Sequence, residues 1–272
     1  VAALEQAGEF DNTLIVVTGD NGMAFPRAKA NVYEYGIHVP MVACWPRRIP
    51  GGRTVDDLIS FVDLAPTFLE AAGVTPDEPH SLSGRSLMSV LASDKQGLVD
   101  GTREMVFSAR ERHSSSRYQN LGYPQRALRT QRYLYIRNFK PDRWPAGDPR
   151  QLNADGSLAH PDSGYCDIDS SPSLTHLIAH KSDPTIGRFF HLAVDKRAAE
   201  ELYDIREDPG CLINLITSVE HAAALNKLRS QMDDYLRKTD DPRVTGSGDV
   251  FETYKRYSPI RRFPPPDSPA VP

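Results

Sequence analysis

Apolar positions follow two different periods along this chain, and the change of period divides it. Residues 14–17 form a short apolar run entered from the turn-like Asp11-Asn12-Thr13, which predicts a buried strand. Residues 41–45, closed by Pro46, predict a second buried strand. Residues 1–8 read as the end of an amphipathic helix. From 56 to 72 the period becomes helical, with Leu58, Ile59, Val62, Leu64, Ala65, Phe68, Leu69 and Ala72 recurring and Gly73 as the stop. Pro66 inside that stretch predicts a second helix opening near Asp63, because proline suits a first helical turn. A Pro- and acid-rich link at 75–80 then breaks the pattern.

The later part reads as a small antiparallel sheet packed by a helix. Strands are predicted at 105–109, at 127–130 and 133–136 around Gln131-Arg132, and at 201–205, with Asp208-Pro209-Gly210 as a turn. Residues 220–238 place Leu225, Leu228, Met232, Tyr235 and Leu236 on one helical face. The stretch 137–190 is rich in Pro, Asp, Ser and Gly and long for a connection, which predicts an insertion running over the surface. Pro264-Pro265-Pro266 predicts an extended tail over 258–272. The division is therefore an α/β portion at 1–100, a smaller α+β subdomain at 101–257 and the tail.

Composition narrows the function classes. A chain of 272 residues with 39% hydrophobic content can bury a substantial core. Its net charge of −4 gives no support to bulk nucleic-acid binding. No apolar run approaches the length of a membrane span. Three cysteines far apart in sequence make no disulfide framework.

The chemistry concentrates after the first strand. Thr18-Gly19-Asp20-Asn21-Gly22 puts a carboxylate and an amide, two hard oxygen donors, at a strand's carboxyl end, where open α/β sheets place their sites. Lys29 follows nine residues after Asp20 and offers a compact cation suited to a tetrahedral oxyanion. Read alone, Asn-Gly is also a common turn, Asp20 a turn cap and Lys29 a solvated lysine.

The surrounding motifs decide between these readings. The run from Asp11 to Gly22, Lys29, then Tyr33-Glu34-Tyr35-Gly36-Ile37-His38-Val39-Pro40, Trp45-Pro46, Ile49-Pro50-Gly51-Gly52, Val62-Asp63-Leu64-Ala65-Pro66-Thr67-Phe68 and Gly84-Arg85-Ser86-Leu87 occur in family order. Leu202-Tyr203-Asp204 with Asp208-Pro209 adds a further tag. Together they resemble the sulfatase family of the alkaline-phosphatase-like superfamily. The resemblance implies an α/β fold: part of a large mixed sheet sandwiched by helices, plus a smaller subdomain with a short antiparallel sheet and a packed helix. It implies Asp20 and Asn21 as metal residues for Ca²⁺, and Lys29 as the catalytic, sulfate-binding lysine. Tyr35 stands where the family usually has glycine and His38 where it has arginine, which bears on the substrate pocket. His38 reads either as a substrate contact or catalytic acid, or as a packed, capping residue.

Phe107-Ser108-Ala109-Arg110-Glu111-Arg112-His113, the run from Tyr123 to Thr130, Asn21 and the Phe25-Pro26 pair are similar to heparan N-sulfatase-like (sulfoglucosamine sulfohydrolase-like) members. That likeness implies Glu111, Arg112 and His113 as substrate contacts; the alternative is a salt-bridged surface turn. The family's formylglycine nucleophile arises in a Cys/Ser-x-Pro-Ser/Ala motif; Cys166 and Cys211 lack the proline, and Cys44-Trp45-Pro46 is followed by Arg47 rather than Ser or Ala. The paired amino-terminal metal aspartates are missing too, so the chain is expected to be the carboxyl-terminal part of a longer enzyme and inactive alone. The resemblance implies a sulfated-sugar or other sulfate-ester substrate, allows a homodimer, and points to a periplasmic, secreted or lysosomal setting. Two rivals stay open: a phosphomonoester or phosphonate hydrolase of the same superfamily, and a non-catalytic sulfated-sugar-binding fragment.

Overall fold

The computed structural model describes residues 1–74 and 82–266, so the link at 75–80 and the last six residues of the tail lie outside the described residues. In chain order the elements are α1 (Ala2–Gln6), β1 (Ile15–Thr18), α2 (Glu34–Ile37), β2 (Met41–Cys44), α3 (Leu64–Ala71), α4 (Met88–Leu91), β3 (Met105–Arg110), β4 (Gln125–Thr130), β5 (Tyr133–Asn138), α5 (Pro172–Ala179), α6 (Gly187–Val194), β6 (Glu200–Asp204), α7 (Ala222–Lys238), α8 (Pro242–Thr245) and α9 (Val250–Thr253). The chain forms two compact units, Val1–Asp20 with Val39–Phe107, and Asn21–His38 with Ser108–Pro272. It is a mixed α/β chain with one two-stranded and one four-stranded sheet among the described residues.

In the first unit β1 and β2 pair antiparallel, with Val17 opposite Val42. Both valines are 64% exposed, so these strands are not the buried ones that their apolar composition predicts. The reason is that the pair has no third strand beside it among the described residues. The helical period predicted from residue 56 also starts later. Asp57 instead accepts the amides of Val99 and Asp100 at 2.7 and 2.6 Å, which holds this stretch out of a helix. Helical structure begins only after Ser60, whose capping box with Asp63 satisfies the first free amides.

Two of the sequence tags meet here for structural reasons. Asp63 takes the Arg85 amide at 2.8 Å and the buried Arg103 guanidinium at 2.9 Å, while Arg103 also donates to the Ser86 carbonyl at 2.8 Å. Thr67 accepts the Leu87 amide at 2.8 Å. The Asp63 to Thr67 turn and the Gly84 to Leu87 turn are thus bound to each other by buried polar atoms. They carry the packing of α3 rather than chemistry.

The four-stranded sheet has the order β3-β4-β5-β6, and in the second unit β4 pairs with β5 and β5 with β6 antiparallel. Leu128, Leu134, Tyr135, Ile136 and Leu202 are fully enclosed. The face of α7 that the period predicts is the buried one, through Leu225, Leu228, Met232 and Leu236. The stretch read as a surface insertion contains α5 and the start of α6. Ser171 caps α5 by accepting the Leu174 amide, with Pro172 in the first turn. Phe190, Ala193 and Val194 of α6 bury a second apolar cluster with Ala146, Tyr165 and Ile168.

Asp167 anchors that second cluster. Its Oδ2 takes Arg110 at 2.5 Å and Arg117 at 2.7 Å, and its Oδ1 takes the Ser116 hydroxyl at 2.8 Å and the Ser114 amide at 3.1 Å. Burial pushes its carboxyl up, but His113, Arg117, Arg110 and Ser116 together hold it well below the ordinary carboxylate range. Asp167→Ala, which strands two buried guanidinium groups, is expected to cost about 3–5 kcal/mol in chemical denaturation. The depressed value also fixes a pH dependence. Unfolded aspartates protonate near about 3.9, whereas the folded Asp167 stays ionised below that. Its contribution is therefore complete above the unfolded value and is lost as pH falls toward the folded one. Acid unfolding curves of Asp167→Ala are expected to be correspondingly flatter below about pH 4 than those of the wild type.

Candidate functional site

The segment Asn21–His38, which leaves β1 and returns to β2, folds into the second unit. Gly22 is required at its start: a Cβ there would lie 2.6 Å from Gly36 Cα and against the Tyr35 carbonyl. Between them the chain makes tight turns, with Arg27 at φ 66 and Ala30 at φ 61. A side-chain-bearing residue holds that left-handed backbone only where its surroundings over-determine it. Arg27 meets the condition. Its guanidinium donates to the carbonyls of Leu192, at 2.8 Å, and Cys211, and stacks 3.9 Å from the centre of the Tyr33 ring.

Three buried residues fix the rest of the segment. Val32 and Tyr33 enter the apolar cluster of Ala127, Leu134, Ile136 and Tyr203. The Tyr33 hydroxyl donates to Glu201 at 2.7 Å, and burial pushes it well above the usual phenol range. Glu34 is gripped by Arg129 on both oxygens, at 2.8 and 2.9 Å. Burial raises the Glu34 carboxyl, but the Arg129 fork and then His38 bring it below the ordinary value.

Lys29 lies between the two left-handed residues. Its amide donates to Met23 at 2.9 Å and its carbonyl accepts from the Asn31 side chain at 3.0 Å. Its ammonium donates to Asp169 Oδ2 at 2.7 Å, and the side chain remains 32% exposed. A lysine so placed can give its remaining hydrogens to an arriving oxyanion. Asp169 was not legible as its partner, since 140 residues separate the two.

The other candidate residues are placed as follows. Asp20 and Asn21 are exposed and consecutive, at the end of the first unit's strand and the start of the second unit's segment. His38 follows α2, exposed, with Nδ1 2.9 Å from Glu34 Oε1. Glu111 is paired with Arg126 at 2.8 Å and Arg243 at 2.5 Å. Arg112 donates to the Asn120 carbonyl at 3.0 Å, and His113 Nδ1 stands 3.4 Å from Asp167 Oδ1. Glu111 and Arg112 thus spend polar atoms on protein partners, while His38 and His113 keep exposed edges.

The donor chemistry of Asp20 and Asn21 suits a hard cation, but the donor number does not. Calcium takes six to eight oxygens, and among the described residues no group of three or more His, Cys, Asp or Glu side chains could hold a metal. These residues do not build a calcium site by themselves. Cys211 and Cys166 are not activated thiols: burial pushes Cys211 up to about 12 and raises Cys166 as well. A cavity of about 680 Å³ is walled by Pro26, Arg27, Tyr33, Tyr35, His176 and Phe189 among others, but not by Lys29. It is distinct in its walls from the candidate residues.

Residues 1–74 match the family model described as Sulfatase. The chain is 27% identical over 245 residues to an ulvan-active sulfatase of Formosa agariphila, covering 88% of this chain and 35% of that one. It is 25% identical over 264 residues to human N-sulphoglucosamine sulphohydrolase, covering 92% and 46%. The chain therefore spans less than half the length of these curated relatives. It shares its fold with a protein solved in complex with its substrate D-glucosamine-2-N,6-O-disulfate, at TM-score 0.60 and 21% identity over 89% of this chain and 38% of that one. The same holds for the phosphonate monoester hydrolase of Agrobacterium radiobacter, at TM-score 0.52 and 18% identity over 90% and 39%. At those identities the structural likeness speaks for the fold alone. The Sulfatase pattern thus lies over the first 74 residues, and the sulfatases aligned along nearly the whole chain are what this protein is similar to.

Proposed function

We propose that this chain supplies the oxyanion-binding lysine and two metal-ligand side chains of a hydrolase acting on sulfuric esters or sulfamates of sulfated sugars. The observation that carries the reading is Lys29: a partly exposed ammonium, on a backbone held by buried contacts on both sides, nine residues beyond Asp20 and eight beyond Asn21. The named activities of the relatives, on ulvan and on N-sulphoglucosamine, supply the substrate class.

The lysine's task follows from charge. Attack on a sulfate ester gathers negative charge on the oxygens around sulfur, and a positioned cation lowers the barrier without reorganising as the charge develops. The Lys29 ammonium gives hydrogen bonds and one positive charge to those oxygens. Arg27 and Asn31 fix its turn, and the bond to Asp169 orders its long side chain before the reaction begins. Asp20 and Asn21 would give two oxygens to a Ca²⁺ shell completed by other donors. The nucleophile, a formylglycine by resemblance, is assigned to residues outside this sequence. His38 and His113 have exposed edges that can reach a sugar, whereas Glu111 and Arg112 would first exchange a protein partner.

A second reading is a phosphomonoester or phosphonate hydrolase, favoured by the fold shared with the Agrobacterium radiobacter enzyme. Relative turnover of an aryl sulfate and an aryl phosphate by the enzyme carrying this chain separates the two. Binding of a sulfated oligosaccharide with no turnover would instead favour a non-catalytic module.

Two substitutions test the assignments in that enzyme. Lys29→Ala is expected to lower kcat for an aryl sulfate roughly 10²-fold, with calcium affinity by titration calorimetry unchanged. Asp20→Ala is expected to lower both calcium affinity and turnover, each at least about tenfold. Wild-type turnover in Lys29→Ala would remove the basis of the proposal.

A further inference from the structure

The partner of Lys29 is itself well placed. Asp169 lies two residues after the buried Asp167 hub and two before Ser171, the cap of α5, and Ile168 between the two aspartates packs in the apolar cluster. Its carboxylate is thus delivered to Lys29 by anchored backbone on both sides. The pair remains open to solvent, with about a third of each side chain exposed (32% and 37%). Exposed ion pairs of this kind add little to stability, so the fold does not account for a carboxylate at this position.

Its effect on a bound anion is large by comparison. An ammonium has three hydrogens; Asp169 takes one and leaves two for an oxyanion. The carboxylate also changes the charge that the anion meets. A sulfate ester carries a single negative charge. A phosphate monoester approaches two once pH exceeds its second ionisation, near about 6. Next to a lone lysine the dianion would gain twice the Coulomb attraction of the monoanion. Next to a lysine–aspartate pair the second charge gains little, because each added unit is attracted by one partner and repelled by the other.

We propose that Asp169 is a specificity-determining residue of the Lys29 oxyanion site, favouring monoanionic esters of the sulfate class over dianionic phosphate monoesters. The proposal rests on the reading of Lys29 as the oxyanion-binding cation. It assigns to Asp169 no contact with the reacting atoms.

The test is equilibrium binding, so that it does not depend on turnover. Three esters of one phenol are titrated into the chain at about pH 8: the sulfate, the dianionic phosphate monoester and the monoanionic methyl phosphate diester. Asp169→Asn is expected to tighten the monoester about tenfold relative to the sulfate, the effect of removing one charge some 6 Å away in a partly solvated site. The diester is expected to follow the sulfate, because it shares its charge. Asp169→Glu, which keeps the carboxylate, is expected to keep the wild-type order, and Asp169→Ser, which also removes the charge, carries the same comparison should Asp169→Asn not fold. An unchanged monoester-to-sulfate ratio in Asp169→Asn overturns the role of Asp169 while leaving Lys29 in place. A diester that follows the monoester overturns it too, since shape rather than charge would then be read. Sulfate-ester binding that is indifferent to Lys29→Gln overturns the Lys29 reading and this proposal with it.

Discussion

Glu34 lies buried, and both of its oxygens are taken by the Arg129 guanidinium on β4. A carboxylate removed from water without such a partner would be costly, so the segment Asn21–His38 can occupy this position only with Arg129 in place. The neighbouring contacts share the same dependence. Tyr33 reaches Glu201, which also receives Tyr203 at 2.6 Å and Asn138 at 2.7 Å, and Arg27 fills out the carbonyls of Leu192 and Cys211. Buried polar groups that satisfy one another in this way specify one arrangement of the chain more sharply than apolar packing does. The position of Lys29 is a consequence of that arrangement rather than of its own few contacts.

The fold was legible where local pattern and local environment agree. The hairpin of β4 and β5, strand β6 and helix α7 sit where alternation and helical period put them, because each buries the face that its sequence marks. It was less legible where a polar side chain overrides the pattern. Leu58 and Ile59 follow a helical period, yet Asp57 binds the amides of Val99 and Asp100 and the helix waits for Ser60. In 137–190 composition hid structure. Ser171-Pro172 is a helix start, and Leu174, Leu177 and Ile178 recur at helical spacing, but the surrounding Pro, Asp and Ser content read as loop.

The candidate site shows the same boundary. Asp20, Asn21 and Lys29 were readable because they fall within one short ordered motif. Asp169, Arg129 and Glu201 were not, because each meets that motif from far along the chain and no short spacing marks them. Arg110 and Arg112 differ by two positions and take different roles, one buried on Asp167 and the other on the Asn120 carbonyl. Alternation along an extended chain would put residues two apart on one side, but β3 ends at Arg110 and Arg112 lies in the turn beyond it, where only the packed partner sets its direction.

Amide hydrogen exchange across residues 21–38 tests the central claim most directly, with the wild-type chain compared with Arg129→Met. The amides of Ala28, Lys29, Asn31, Ile37 and His38 all donate within the segment and report on its order. If the Glu34–Arg129 grip sets the segment, these amides lose protection together in the variant, while those of α7 keep theirs. Protection at Lys29 and its neighbours equal to wild type, in a variant that has lost the guanidinium, would contradict the account.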